Sequence, residues 1–153
     1  MLPIDVATLT KSIASSKIDA SHWRPHWSAA ALSGRTKADC MNNCLFCRII
    51  RGEVPSKKVH EDEHTFAFED INPQGPTHVL VIPKKHIAGL KEAHAEDAEL
   101  VGRCHLVAAQ IARQRSIEDG YRTVLNVGPG AGQSVFHLHV HLIGGRSLRW
   151  PPG

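Results

Sequence analysis

Hydrophobic and polar positions alternate along the chain with two periods, and the switches between them mark the elements. Phe46, Ile49 and Ile50 before Gly52 and Pro55 predict a short apolar helix with a sharp stop. Val59 to Glu61 and Thr65 to Glu69 predict two short strands joined by the polar turn Asp62-Glu63-His64. Residues Asp70 to Pro76 are dense in turn formers, and Thr77 to Ile82 is a β-branched strand stopped by Pro83. Leu100, Val101, Cys104, Val107, Ala108, Ile111 and Ala112 recur at helical spacing. They predict an amphipathic helix over Glu96 to Ser116, acidic at its start and basic at its end, with Gly120 beyond. Arg122 to Val127 and Ser134 to Ile143 predict two more strands around a glycine-rich loop, Gly128 to Gly132. Short turns between most strands and one long helix between two of them predict an α+β fold with a mainly antiparallel sheet.

Residues 1–43 have a different character. Leu2, Ile4, Val6, Leu9 and Ile13 allow a helix near Asp5 to Ser16, and Trp23 and Trp27 then sit in a loop-like stretch suited to docking on a surface. The segment is Ser- and Ala-rich and poor in acids. It is read as an N-terminal extension before a domain at 44–153, with a weak likeness to an organellar transit peptide. The expected location is the cytoplasm, extending to the nucleus, with mitochondria as the alternative that the extension opens.

Composition narrows the function classes. The chain has 153 residues, enough for one domain of ordinary size, and its 42% hydrophobic content argues against wholesale disorder. No apolar run is long enough to cross a membrane as a helix. A net charge of +3, scattered along the chain, gives no argument for nucleic acid. The unusual count is eleven histidines, residues that titrate near neutrality and ligate metals. Cys44-Leu-Phe-Cys47 has the spacing of a metal-binding pair, a redox pair, or two buried small hydrophobes.

The last predicted strand carries the chemistry. Side chains alternate faces along a strand, so His137, His139 and His141 share one face and Phe136, Leu138, Val140 and Leu142 share the core face. Three adjacent imidazoles need water, metal or an anion as partner. Two chemistries fit: metal ligation, and phosphoryl transfer with a neutral imidazole as nucleophile. The preceding Gly128-Pro-Gly-Ala-Gly-Gln-Ser134 run offers unobstructed backbone N–H groups, a nest for an anion, and Ser134 adds a hydroxyl. That favours phosphate.

The run Gly132-Gln-Ser-Val-Phe-His137-Leu-His139-Val-His141 resembles the His-x-His-x-His signature of the histidine triad (HIT) superfamily. The likeness extends over Cys44 to Pro55, Phe66 to Ile71 and Pro76 to His86, but not over residues 1–43. The ending Trp150-Pro-Pro-Gly153 is similar to the histidine-triad nucleotide-binding (Hint) branch.

The resemblance implies a five-stranded antiparallel sheet with two helices, and a homodimer whose sheets join into one of ten strands. It implies a nucleoside phosphoramidase acting on AMP linked through nitrogen to an amine or a lysine. His139 corresponds to the nucleophile, which forms a covalent nucleotidyl-histidine. His141 would bond a phosphate oxygen, Ser134 the phosphate or leaving nitrogen, and His78 would orient the site or relay protons, with His137 beside them. Asp70 would hold the ribose hydroxyls, while Phe46, Ile49, Val54, Phe68, Ile71 and Leu80 would line the base pocket. Asn126, Gly132, Gln133 and Val135 would contact phosphate or ribose. Cys44, Cys47, His86 and His137 match a Cys2His2 structural zinc site, with no cofactor needed for the chemistry. The expected partners are a purine nucleotide such as AMP or GMP and a second copy of the chain. The Trp150 tail would reach toward the partner's site. His60, His64, His94 and His105 are read as surface residues. The Gly128-Pro-Gly130 run is closer to bacterial and Fhit-like members. A dinucleoside polyphosphate hydrolase is therefore the first alternative, and a zinc-stabilised nucleotide-binding or interaction module the second.

Overall fold

A computed structural model describes residues 43–152. The expectations for the N-terminal helix and for Trp23 and Trp27 lie outside the described residues. Helix α1 spans Leu45–Ile50. Strands β1 (Lys58–Glu61), β2 (Thr65–Glu69) and β3 (Thr77–Pro83) follow, then two short 3-10 turns at Leu90–Glu92 and Ala95–Asp97. Helix α2 spans Ala98–Gln114, and β4 (Tyr121–Val124) and β5 (Val140–Gly144) complete the domain. The five strands form one antiparallel sheet in the order β1-β2-β3-β5-β4. This is the expected α+β architecture. Among the described residues no helix is long and apolar enough to cross a membrane.

The β1–β2 turn is built by Asp62, whose Oδ1 accepts the N–H groups of His64 (2.8 Å) and Thr65 (2.6 Å). Desolvation opposes the charge on Asp62, but these backbone donors outweigh it and hold the carboxyl at about 2. Strand β3 is buried along its whole length because both faces of the sheet are covered. On one face Ala67, Val79, Val81, Val140 and Leu142 pack against Cys104, Val107, Ala108, Ile111 and Ala112 of α2. On the other, Phe66, Phe68, Leu80 and Ile82 pack against Phe46, Cys47 and Ile49 of α1. Partners across an antiparallel ladder share a face. The pairings Phe68↔Leu80 and Leu80↔His141 therefore place His141 on the α1 side, away from α2.

The histidine strand is shorter than expected. Only Val140–Gly144 pairs in the sheet, and residues 135–139 bend away from it. The cause is local. Leu138 N–H goes to the Ile87 carbonyl (2.6 Å) and His137 N–H to the Val135 carbonyl (2.9 Å), so neither joins a strand ladder. Leu138, Val140 and Leu142 enter the core as predicted, but Phe136 does not: it is 53% exposed. It precedes the paired residues of β5, so strand alternation does not direct it into the core. β4 likewise ends at Val124 rather than Val127, and a 3-10 turn at Pro129–Ala131 shapes the glycine loop. His64 and His94 are exposed as expected, while His60 and His105 are half-buried.

Candidate active site and metal centre

Strand β5, the bend before it, the end of β3 and helix α1 converge at one end of the sheet. There they bring four metal-ligand candidates together. Cys44 Sγ lies 3.4 Å from His137 Nδ1, and Cys47 Sγ lies 3.4 Å from His86 Nδ1 and 3.5 Å from His137 Nδ1. The two Nδ1 atoms are 3.3 Å apart. A tetrahedral zinc with bonds of about 2.0–2.1 Å to nitrogen and 2.3 Å to sulfur sets N···N edges near ~3.4 Å and S···N edges near ~3.6 Å. The donor set fits that geometry. His137 Nε2–H donates to the Pro83 carbonyl (2.8 Å), which leaves Nδ1 with its lone pair aimed at the sulfurs. Burial, partly opposed by that bond, holds His137 down at about 4. Burial, then the Cys44 neighbour, pushes the Cys47 thiol up to about 12. The Cys47 thiol therefore faces the Nδ1 atoms of His86 and His137 with its proton on, and a metal bound there would displace that proton.

Two residues beyond His137 stands His139, nearly buried. Its Nδ1–H donates to the His137 carbonyl (2.7 Å), which fixes the tautomer and leaves a lone pair on Nε2. The Phe46 ring meets it edge-on at 5.4 Å and 90°. The His141 ring lies 5.0 Å away.

The tautomer of His141 follows from a chain of donors. Gln74 N–H donates to His78 Nδ1 (3.1 Å), so the neutral His78 ring carries its proton on Nε2. That N–H faces His141 Nδ1 at 2.9 Å and Asp70 Oδ2 at 3.3 Å. His141 Nδ1 is then the acceptor, and its proton sits on Nε2. That Nε2 is buried and has no partner among the described residues. Burial, then the charges of His139 and His78, holds His141 down at about 4, so it stays a neutral donor at pH 7. Asp70, His78 and His141 also have the spacing of a metal-ligand trio. The Gln74 donor argues against that use, since a metal at His78 Nε2 would have to displace the only proton the ring holds.

The remaining predicted residues divide by placement. Phe46, Ile49, Phe68 and Leu80 are buried in one apolar cluster, with Val54 and Val135 packed against it. Ile71 is 90% exposed. Asp70 Oδ1 accepts the Asn72 N–H (2.8 Å) while Oδ2 faces His78. Ser134 and Gly132 are exposed on the loop and Asn126 is half-buried. Gln133 is buried, with its side chain turned inward rather than toward the surface. Trp150, in the tail, is 85% exposed, and the Arg149 carbonyl before it accepts from Arg122 (2.8 Å). Three contributors escape sequence reasoning: the Gln74 N–H, the Pro83 carbonyl and the His137 carbonyl. Backbone groups are present at every position and leave no trace in residue type.

Comparison with known proteins agrees with this architecture. The HIT domain profile matches residues 51–148. A HIT-like protein of Synechococcus elongatus is 54% identical over 109 residues, covering 71% of this chain and 96% of its own length. The 14 kDa zinc-binding protein of Zea mays is 51% identical over 111 residues, covering 71% and 87%. Among solved structures, a HIT family hydrolase from Legionella pneumophila superposes with a TM-score of 0.71 at 49% identity, covering 72% of this chain and all of that one. With a profile match spanning well over half its length, and the histidine row, the antiparallel sheet and the Cys/His cluster in place, the chain belongs to the HIT domain family.

Proposed function

We propose that this chain is a hydrolase of nucleoside 5′-phosphoramidates, with His139 as nucleophile and a structural zinc on Cys44, Cys47, His86 and His137. The observation that carries the reading is the pair of opposite tautomers. His139 presents a lone pair at Nε2, and His141 presents an unpartnered N–H at Nε2. A nucleophile beside a donor suits attack on a phosphoryl centre.

In the first step the His139 Nε2 lone pair forms a bond to phosphorus. The P–N bond breaks, and its electron pair leaves with the amine nitrogen, which takes up a proton from solvent. The Nδ1–H bond to the His137 carbonyl disperses the positive charge that develops on the ring. His141 donates to a non-bridging oxygen, and Ser134 to the phosphate or the leaving nitrogen. Water then attacks phosphorus, the P–Nε2 bond breaks with its electron pair returning to His139, and the proton lost by the water passes to solvent. Phe46, Ile49, Val54, Phe68 and Leu80 form the apolar wall for a purine, with Ile71 at its rim, and Asp70 keeps acceptor capacity for ribose hydroxyls. Asn126, Gly132 and Val135 flank the phosphate. The zinc-binding relative from maize supports the metal assignment, which otherwise rests on donor spacing. We also propose a homodimer. Among the described residues strand β4 pairs only with β5, which leaves an edge for a second copy, and Leu106 of α2 is 72% exposed.

Turnover of an AMP-amide by wild type and by His139→Ala tests the reading, with Ap3A and Ap4A as competitors. Amide cleavage that disappears in the variant, with slow dinucleotide cleavage, is the expected result. Fast dinucleotide cleavage would instead assign the protein to dinucleoside polyphosphates. No turnover of either by folded wild type would leave nucleotide binding as the function.

A further inference from the structure

A glycine-rich anion loop needs a reason to hold its shape. Gly128 and Gly132 have φ of +80° and +83°, and glycine loses more freedom on ordering than any other residue. Three bonds close the loop on itself: Ala131 N–H and Gln133 N–H to the Gly128 carbonyl (both 3.1 Å), and Gly132 N–H to the Pro129 carbonyl (2.9 Å). None of these fixes the loop to the sheet.

We infer that Gln133 is a positioning residue whose side chain splints the anion loop to the segment that carries the metal ligand His86. Its Oε1 accepts the Gly128 N–H at 2.9 Å, across the mouth of the loop. Its Nε2 donates to the Ala88 carbonyl at 2.7 Å and to the Val135 carbonyl at 3.2 Å. Both amide hydrogens are thus used, and the side chain is only 4% exposed although its neighbours on the loop are open to solvent. The surroundings are shaped to the amide. A Cβ on Gly89 would lie 3.2 Å from Oε1 and 3.3 Å from Nε2, so that backbone passes close only because it is glycine. Ala88 is two residues past His86, and Leu138, between His137 and His139, bonds the adjacent Ile87 carbonyl. One buried amide therefore holds the loop in register with the chain segments that carry His86, His137 and His139.

This inference rests on the reading of the loop as a phosphate cradle, and its test separates the two. Gln133→Met keeps the volume and removes all three bonds. Gln133→Glu keeps the acceptor but sets a carboxylate against two carbonyls. Gln133→Asn keeps the amide but falls one methylene short, and serves if the Met variant does not fold. Each would be compared with wild type by titration with AMP and with adenosine, and by hydrogen exchange at the Gly128 amide.

The expected result is AMP binding weakened about tenfold or more, since a lost buried hydrogen bond is typically worth that much. Adenosine binding should stay within about twofold, and Gly128 should exchange faster. A general loss of structure would weaken both ligands alike and would overturn the positioning role. So would AMP binding at wild-type strength with Gly128 still protected. If wild type binds neither ligand, the nucleotide reading fails by itself, and exchange at Gly128 alone decides whether the splint exists.

Discussion

At the scale of single residues, the site depends on which nitrogen of each imidazole holds the proton. That part was only half legible in the sequence. Alternation put His139 and His141 on one face, and the spacing of Cys44 and Cys47 marked a ligand pair. The tautomers depend on the carbonyl of His137 and the N–H of Gln74, which no side-chain pattern announces. A pH prediction follows from His141. Its folded value of about 4 lies below the ordinary 6.5, so between those values the unfolded chain binds more protons. Stability is fully present above about pH 6.5 and is lost as pH falls toward about 4. Urea midpoints should be flat above neutrality and drop through that window, with His141→Gln flattening part of the drop. At the metal centre, His86→Ala removes one of four donors. Zinc content by mass spectrometry of metals should fall to a small fraction of wild type, while His105→Ala should leave it intact.

Elements set where those residues meet. The hydrophobic periods were enough to place α2 and β3, because long amphipathic and β-branched runs speak for themselves. The histidine strand is shorter than its sequence pattern because alternation continues after hydrogen bonding has stopped. Phe136 keeps the period and still faces solvent, since Leu138 gives its N–H to Ile87 rather than to β3. The β4–β5 pair depends on a close approach at Gly144, where a Cβ would lie 2.7 Å from Ile117 Cδ1 and 3.3 Å from Tyr121 Cβ. Gly144→Val should cost about 1–3 kcal/mol through overpacking, read as a lower urea midpoint at unchanged slope.

For the whole molecule, the proposed dimer and the proposed zinc make separate predictions. Sedimentation should give twice the 16.8 kDa chain mass, and Leu106→Arg should lower it toward that of one chain without altering the circular dichroism. Removing zinc with a strong chelator should lower Tm by roughly 10 °C, the shift expected for a loss of about 2 kcal/mol in a domain of this size. The metal cluster also bears on how the chain finds its fold. His86 lies 39 positions from Cys47 and 51 from His137, and Cys44 lies 93 from His137. Contacts that distant close large loops, and they are assembled after the hairpins and the helix. A cross-link completed so late acts on the exit from the native state rather than on the entry. Stripping the metal should therefore speed unfolding in stopped-flow experiments and leave the refolding rate almost unaltered. The same four side chains that square up the active site would then set the lifetime of the folded protein.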